Sequence, residues 1–223
     1  MELATFFLEV TESSGGQELA AKAWNSLWLF HLLALSCRRP CESLYCWTGE
    51  SRIRFSLTTA HIVNRGTIEP GAVTAEQLSW GRDNLERFDS LLGNPKFSAA
   101  LLSYVNSHQL YGYSARIMQI WSGIESLFDV SSEISRTVAV YSALLLETEN
   151  PEARYACFKK IKKEYEIRSR VVHGAITNKT SLNDAYTRAG EILAGLLARC
   201  VELSRVPLPE ELDRIVLSNV LSR

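Results

Sequence analysis

The chain is short of long apolar runs. Its most apolar stretch, LWLFHLLALS from Leu27 to Ser36, is about half a bilayer span and contains His31, so no transmembrane helix is expected. It also lacks a surplus of either charge: 24 Lys and Arg stand against 25 Asp and Glu, a formal net charge of −1. That balance excludes a protein that coats nucleic acid or membrane through a general basic field; any nucleic-acid contact must be local. The opening MELATFFLEV carries an acid at its second position and no basic leader. A secretory signal is therefore not expected, and the expected location is cytoplasmic. The glycine-rich phosphate loop, the His-Glu-x-x-His helix and the serine-nucleophile elbow are all missing from the sequence.

Cysteine is present but not paired as a zinc site requires. Cys37, Cys41 and Cys46 lie close together, with His31 and His61 to either side, yet no two Cys-x-x-Cys units occur. Five cysteines in a chain without a signal read as reduced thiols, Cys157 and Cys200 as small core residues within helical patterns. No metal and no other cofactor is expected. His31, His61 and His108 read as ordinary polar or core residues.

What the chain does have is helical periodicity. With 223 residues, 46% hydrophobic and 22% charged, it can form one well-cored domain, alone or with a small appendage. The first seventy residues are mixed: TFFLEV and RIRFSLTTAHIV are rich in β-branched and aromatic residues and predict one or two strands, with QELAAKAWNSLWLFHLLALS as a helix between them. RGTIEPGAVT, with two glycines and a proline, marks the boundary, dividing an N-terminal region over residues 1–72 from a helical domain over 73–223. Thr74 caps AEQLSWGRDNLERFDSLLG, with Gln77 placed as in a capping box. PKFSAALLSYVNSH, YSARIMQIWSGIESLF, SEISRTVAVYSALLLE, PEARYACFKKIKKEYEIRSRVVHG and SLNDAYTRAGEILAGLLARCVELSR follow, and PEELDRIVLSNVL closes the chain as a docked tail. Short connections predict a mainly α fold, an antiparallel helical bundle.

One residue breaks the pattern. On a helix from Pro151 to Gly174, Phe158, Ile161, Tyr165 and Val172 form an apolar stripe with Cys157 at its edge, and Arg168 falls inside it. Lys159, Lys163 and Arg170 take the opposite, solvated side. A buried guanidinium is costly unless it is paired. The helix YSARIMQIWSGIESLF presents Ile117, Met118, Trp121, Ile124 and Phe128 with Glu125 among them, so Glu125 is the expected partner. Ser169 and His173 stand one turn apart and can touch, and Gly174 suits a left-handed residue that stops the helix near an open end.

Arg168-Ser169-Arg170-Val171-Val172-His173 resembles the motif of the HEPN superfamily, an arginine followed by a polar residue and, four to six residues on, a histidine. YEIRSRVVHG is similar to the tyrosine-x-x-arginine-serine and valine-histidine-glycine pattern of its Apea-like branch, and WSGIESLF and SEISRTVAVYSALLL resemble the two helices before it. The resemblance covers about residues 110 to 205 and does not reach the first seventy. It implies a HEPN-like helical bundle, commonly a homodimer, and often a metal-independent endoribonuclease acting on RNA in phage defence, toxin systems or RNA processing. It implies Arg168 and His173 as catalytic residues, with Ser169 as their polar partner. Glu125 and Tyr165 are the further residues expected to support the site, and Arg170 and Lys162 those expected to bind RNA. It leaves room for an unidentified neutralising or sensing partner. Some HEPN toxins carry a modified tyrosine two residues after the histidine; Ala175 stands there in this chain.

The implied chemistry suits these residue types. RNA carries its own nucleophile, the 2′-OH beside the scissile phosphate; cleavage needs proton transfer and positive charge for the phosphorane. Histidine supplies the first near neutral pH and arginine the second, through its planar fork. The rival reading is a non-catalytic helical dimerisation or interaction module in which RSRVVHG only closes a helix.

Overall fold

A computed structural model describes residues 9–13, 16–41, 73–130, 133–175 and 178–218. Among these residues the chain is mainly α-helical and forms no strand. RIRFSLTTAHIV and most of TFFLEV, the two expected strands, lie outside the described residues; Glu9 and Val10 carry no regular structure. Cys46 and His61 lie outside them as well. No helix among the described residues is long and apolar enough to cross a membrane, and no three metal-binding side chains gather there.

Contacts divide the chain into two units, Met1–Asp83 and Asn84–Arg223. The sequence places its boundary at 72/73; the contacts place Ala75–Asp83 with the N-terminal unit. In that unit α1 (Gly16–Asn25) and α2 (Trp28–Cys37) replace the single helix expected over residues 17–36, because the chain turns at Ser26 and Leu27. The third helix, α3 (Ala75–Asp83), begins with the expected capping box: the Thr74 N–H donates to Gln77 Oε1 at 2.9 Å, and the Gln77 N–H to Thr74 Oγ1 at 3.3 Å. The Ser36 hydroxyl on α2 donates to the Gln77 carbonyl, tying α2 to α3.

The unit Asn84–Arg223 opens where the sequence predicts an unbroken helix. Asn84 departs from helical geometry, with φ −112° and ψ 9°, and α4 (Leu85–Leu91) starts after it. Then follow α5 (Pro95–Asn106), a 3-10 turn over Ser107–Gln109, α6 (Tyr113–Phe128), α7 (Ile134–Leu146), α8 (Pro151–Val172), α9 (Lys179–Leu203) and α10 (Pro209–Ser218). Two starts share one chemistry. Asn94 before Pro95 accepts from the N–H groups of Lys96 and Phe97, and Asn150 before Pro151 accepts from those of Glu152 and Ala153. Each asparagine satisfies donors that the first turn leaves free, and each proline occupies a position where its missing N–H costs nothing.

The centre of this unit is α6. Ile117, Ile120, Trp121, Ile124, Leu127 and Phe128 are all buried on it. Met118, expected on that apolar face, is instead 44% exposed, because the buried arc is centred one residue away, on Ile117 and Ile124. The helices α5 and α6 run antiparallel: Lys96 at the start of α5 pairs with Asp129 beyond the end of α6, while Gln119 reaches Ser103. Along α6 and α9 the two sequences advance together, Tyr113 beside Tyr186 and Gly123 beside Leu193. The tail helix α10 is docked as expected, by buried Leu212 and by the Tyr141 hydroxyl on α7, which donates to Asp213 at 2.6 Å.

Gly123 sets how closely α6 approaches its neighbours. A Cβ there would lie 2.7 Å from Ser103 Cβ, 2.9 Å from Leu193 Cδ2 and 3.3 Å from the Ala100 carbonyl oxygen. Two of the three obstacles are backbone or the first side-chain atom, which cannot rotate away. Gly123→Ala should therefore destabilise the protein by about 1–3 kcal/mol through overpacking, despite the better helix propensity of alanine. Thermal unfolding checks this; an unchanged or raised Tm contradicts the close approach.

Candidate functional site

The site is built on α6 and α8. Helical spacing stacks Trp121 and Glu125 one turn apart on α6, and Tyr165 and Arg168 one turn apart on α8. The two rows meet. Arg168 Nη2 lies 3.3 Å from Glu125 Oε1, and the Tyr165 hydroxyl donates to the same oxygen at 2.9 Å. The Arg168 guanidinium also sits over the Tyr165 ring, 5.3 Å from its centroid. The Trp121 ring packs edge-on against Tyr165 with centroids 5.1 Å apart. Tyr165 is thus the centrepiece, fixed by the buried tryptophan on one hand and the carboxylate on the other.

Arg168 is held but not saturated. Its side chain is 26% exposed and that of Glu125 is 25% exposed, so the pair stands at the rim rather than within the core. Arg168 Nε is buried and has no hydrogen-bond partner among the described residues. A guanidinium has five N–H donors, and one carboxylate oxygen with one ring face leaves most of them unused. The exposed part of the fork is open to an anion. Burial pushes the Tyr165 phenol above its ordinary pKa, the hydrogen bond and negative charge of Glu125 push it further, and Arg168 pulls the other way. The hydroxyl therefore stays a donor to Glu125 across the neutral range.

His173 occupies the exposed end of the same helix. Gly174, at φ +69°, takes the left-handed conformation; its N–H donates to the Val171 carbonyl at 3.0 Å, and the Ala175 N–H to the Arg170 carbonyl at 2.8 Å. This is a Schellman ending, which the glycine permits without strain. The ring of His173 does not bond to the Ser169 hydroxyl as expected. The hydrogen bond between these two residues is a backbone one, the His173 N–H donating to the Ser169 carbonyl at 3.1 Å. At φ −85° and ψ 9°, His173 keeps its place on the helix and the chain leaves helical geometry after it.

The inner face of α8 is rotated from the predicted stripe. Ile161, Glu164 and Val171 are buried, whereas Val172 is 42% exposed. Arg168 remains inside the corrected stripe, at the period that links Ile161, Glu164 and Val171. The missed member is Glu164, whose Oε1 accepts from Arg188 Nε on α9 at 2.7 Å. Its signal was available: Glu164 stands three residues after Ile161 and four before Arg168. Lys162 and Arg170 are exposed on α8. No protein-family model, curated protein or solved structure matches the chain.

Tyr165→Phe isolates the hydroxyl. It should cost about 1 kcal/mol at neutral pH, the typical net value of one hydrogen bond. Because the folded state raises the phenol pKa, this contribution is present below the unfolded value near 10 and is lost as pH rises through the folded value. The stability gap between wild type and Tyr165→Phe should therefore close in alkali. Denaturant titrations at pH 7 and above pH 10 test it; a gap that widens with pH contradicts the assignment.

Proposed function

We propose that the chain is a metal-independent endoribonuclease of the HEPN type, with His173 as the proton-transfer residue and Arg168 as the phosphate-binding cation. The observation that carries this reading is the Glu125–Tyr165–Arg168 constellation at the rim, in which the guanidinium is rigidly held yet keeps donors open. Five residues further along the same helix, an exposed histidine closes it. Arg168 neutralises the scissile phosphate and the charge that develops on the phosphorane. The imidazole of His173 takes the 2′-OH proton or gives one to the leaving 5′-oxygen. Glu125 and Tyr165 touch neither RNA nor the reacting atoms; they fix the guanidinium. Lys162 and Arg170 lie on exposed α8 and bind flanking phosphates.

One chain supplies a single histidine and a single arginine at the motif, whereas the reaction gains from both an acid and a base. A two-fold dimer with the α8 ends facing each other doubles the inventory without new residues. Phage defence or a toxin system is the setting this activity suits, with a neutralising or sensing partner to restrain it.

Purified protein should cleave mixed RNA in excess EDTA, leaving 2′,3′-cyclic phosphate and 5′-hydroxyl ends. Loss of cleavage in chelator with recovery in magnesium would sink the mechanism. His173→Ala should lower the rate at least ~100-fold with little change in Tm, since the residue is exposed at a helix end. Arg168→Ala should inactivate to a similar degree and also lower Tm, because it strands Glu125. Cleavage by His173→Ala at the wild-type rate removes the catalytic assignment.

Specific activity should also fall on dilution, and excess His173→Ala subunits should poison wild type by forming mixed dimers. A verified monomer that cleaves as fast per chain as concentrated protein defeats the shared site. RNA left intact at every concentration leaves the helical interaction module as the better description.

A further inference from the structure

The outward face of α8 before the motif carries an arrangement that packing does not explain. Tyr155 is 61% exposed, although its ring is contacted by two side chains of the following turn. Phe158 stacks with it at 6.1 Å between centroids and 21° between planes, and Lys159 Nζ lies 4.7 Å from its centroid. At about 100° per residue, Tyr155, Lys159, Lys162, Glu166, Ser169 and His173 fall within an arc of about 80° on one side of the helix. Lys163 stands about 40° beyond the edge of that arc and the exposed Glu152 about 20° beyond it. Lys159, Lys162, Lys163 and His173 are all exposed. The row from Tyr155 to His173 spans eighteen residue steps, about 27 Å at 1.5 Å per residue.

We propose that this face is a single-stranded RNA track: a base stacks on Tyr155, phosphates lie against Lys159, Lys162 and Lys163, and the strand runs from there to His173. The proposal deepens the ribonuclease reading, on which it rests for where the strand leads.

Three features favour RNA over a plain solvated face. A lysine run alone keeps a helix soluble and needs no aromatic ring in water. Here the ring is present, held flat by Phe158, with cations on its own row, the pairing of π-face and charge by which single strands are bound without sequence preference. The Lys159 contact with the ring is also weaker than base stacking at an exposed site. A base therefore displaces the ammonium, which swings to an adjacent phosphate. The charge is local, as a chain of net charge −1 requires. Glu166 is the one acid inside the arc and works against the strand.

The test is binding of a fluorescent single-stranded oligouridylate long enough to span the row, measured by anisotropy on His173→Ala protein so that no cleavage intervenes. Tyr155→Ala should weaken binding about tenfold, and Tyr155→Trp should restore it. Lys159→Ala and Lys163→Ala should each weaken binding and flatten its salt dependence by about 0.7 in the log–log slope. Glu166→Gln should tighten it. Lys160→Ala, exposed but outside the arc, should stay within twofold of the parent protein. Tyr155 is exposed, so these variants should fold, which equal Tm values verify.

If Tyr155→Ala binds as well as its parent while the lysine variants do not, the face is only a basic surface and the track is wrong. If a duplex of equal length binds as tightly as the single strand, the stacking site is wrong. Should RNA never be cleaved while binding still depends on Tyr155 and the arc, the track stands and the ribonuclease reading falls. Should a long strand be cleaved equally well with and without Tyr155→Ala, the ribonuclease reading stands and the track falls.

Discussion

One oxygen atom, Glu125 Oε1, carries the arrangement at the rim of α6 and α8. It accepts the Tyr165 hydroxyl and faces the Arg168 guanidinium. Without it the tyrosine would hold an unsatisfied donor and the arginine would be a cation on an inward face with only a ring for company. Both penalties fall on the same helix contact, so the carboxylate decides whether α8 can lie on α6 with this side inward. It is also only partly buried, which lowers the desolvation cost that makes deep ion pairs poor stabilisers. The pair therefore fixes position more than it adds stability.

The main outlines of this were legible in the sequence for a specific reason. An apolar period tolerates few charges, and when two neighbouring helices each place one on the inward side, the two must find each other. Arg168 and Glu125 do. Gly174 was equally readable, since a glycine following a periodic run suits a left-handed stop, and the φ of +69° is where it sits. Thr74 with Gln77 was readable as a reciprocal cap for the same kind of reason: the hydrogen bonds are local.

Phase was harder than period. Adjacent valines at 171 and 172 cannot say which of them turns inward, and Ile117 beside Met118 poses the same ambiguity; in each pair the first is buried and the second exposed. Glu164 was hidden within a run of lysines, where a carboxylate looks like ordinary surface charge, although its partner Arg188 lies on the next helix. The breaks at Ser26 and Asn84 carry no glycine or proline, so the helical pattern runs through them undisturbed. Ser169 and His173 show the limit of spacing as a guide. One turn of separation puts two side chains on one side of a helix, yet the bond between these two residues is made by their backbones alone.

The two ion pairs of α8 have a joint consequence. Glu164 and Arg168, one turn apart on the same helix, offer opposite charges to different neighbours, an arginine on α9 and a glutamate on α6. Sliding α8 by one turn would set Arg168 where Glu164 belongs, bringing it against Arg188 and turning attraction into repulsion. Rotation by one residue would take both charges off their partners. The helix thus has a single seating, and the alternatives that a smooth apolar stripe would allow are closed by charge. Motions that expose the stretch from Ile161 to Val171 to solvent must release both contacts at once, whereas the first turn of α8 and the Gly174 end are free of that condition. The segment bearing Arg168 is then the slow part of α8, and the end bearing His173 is the fast one.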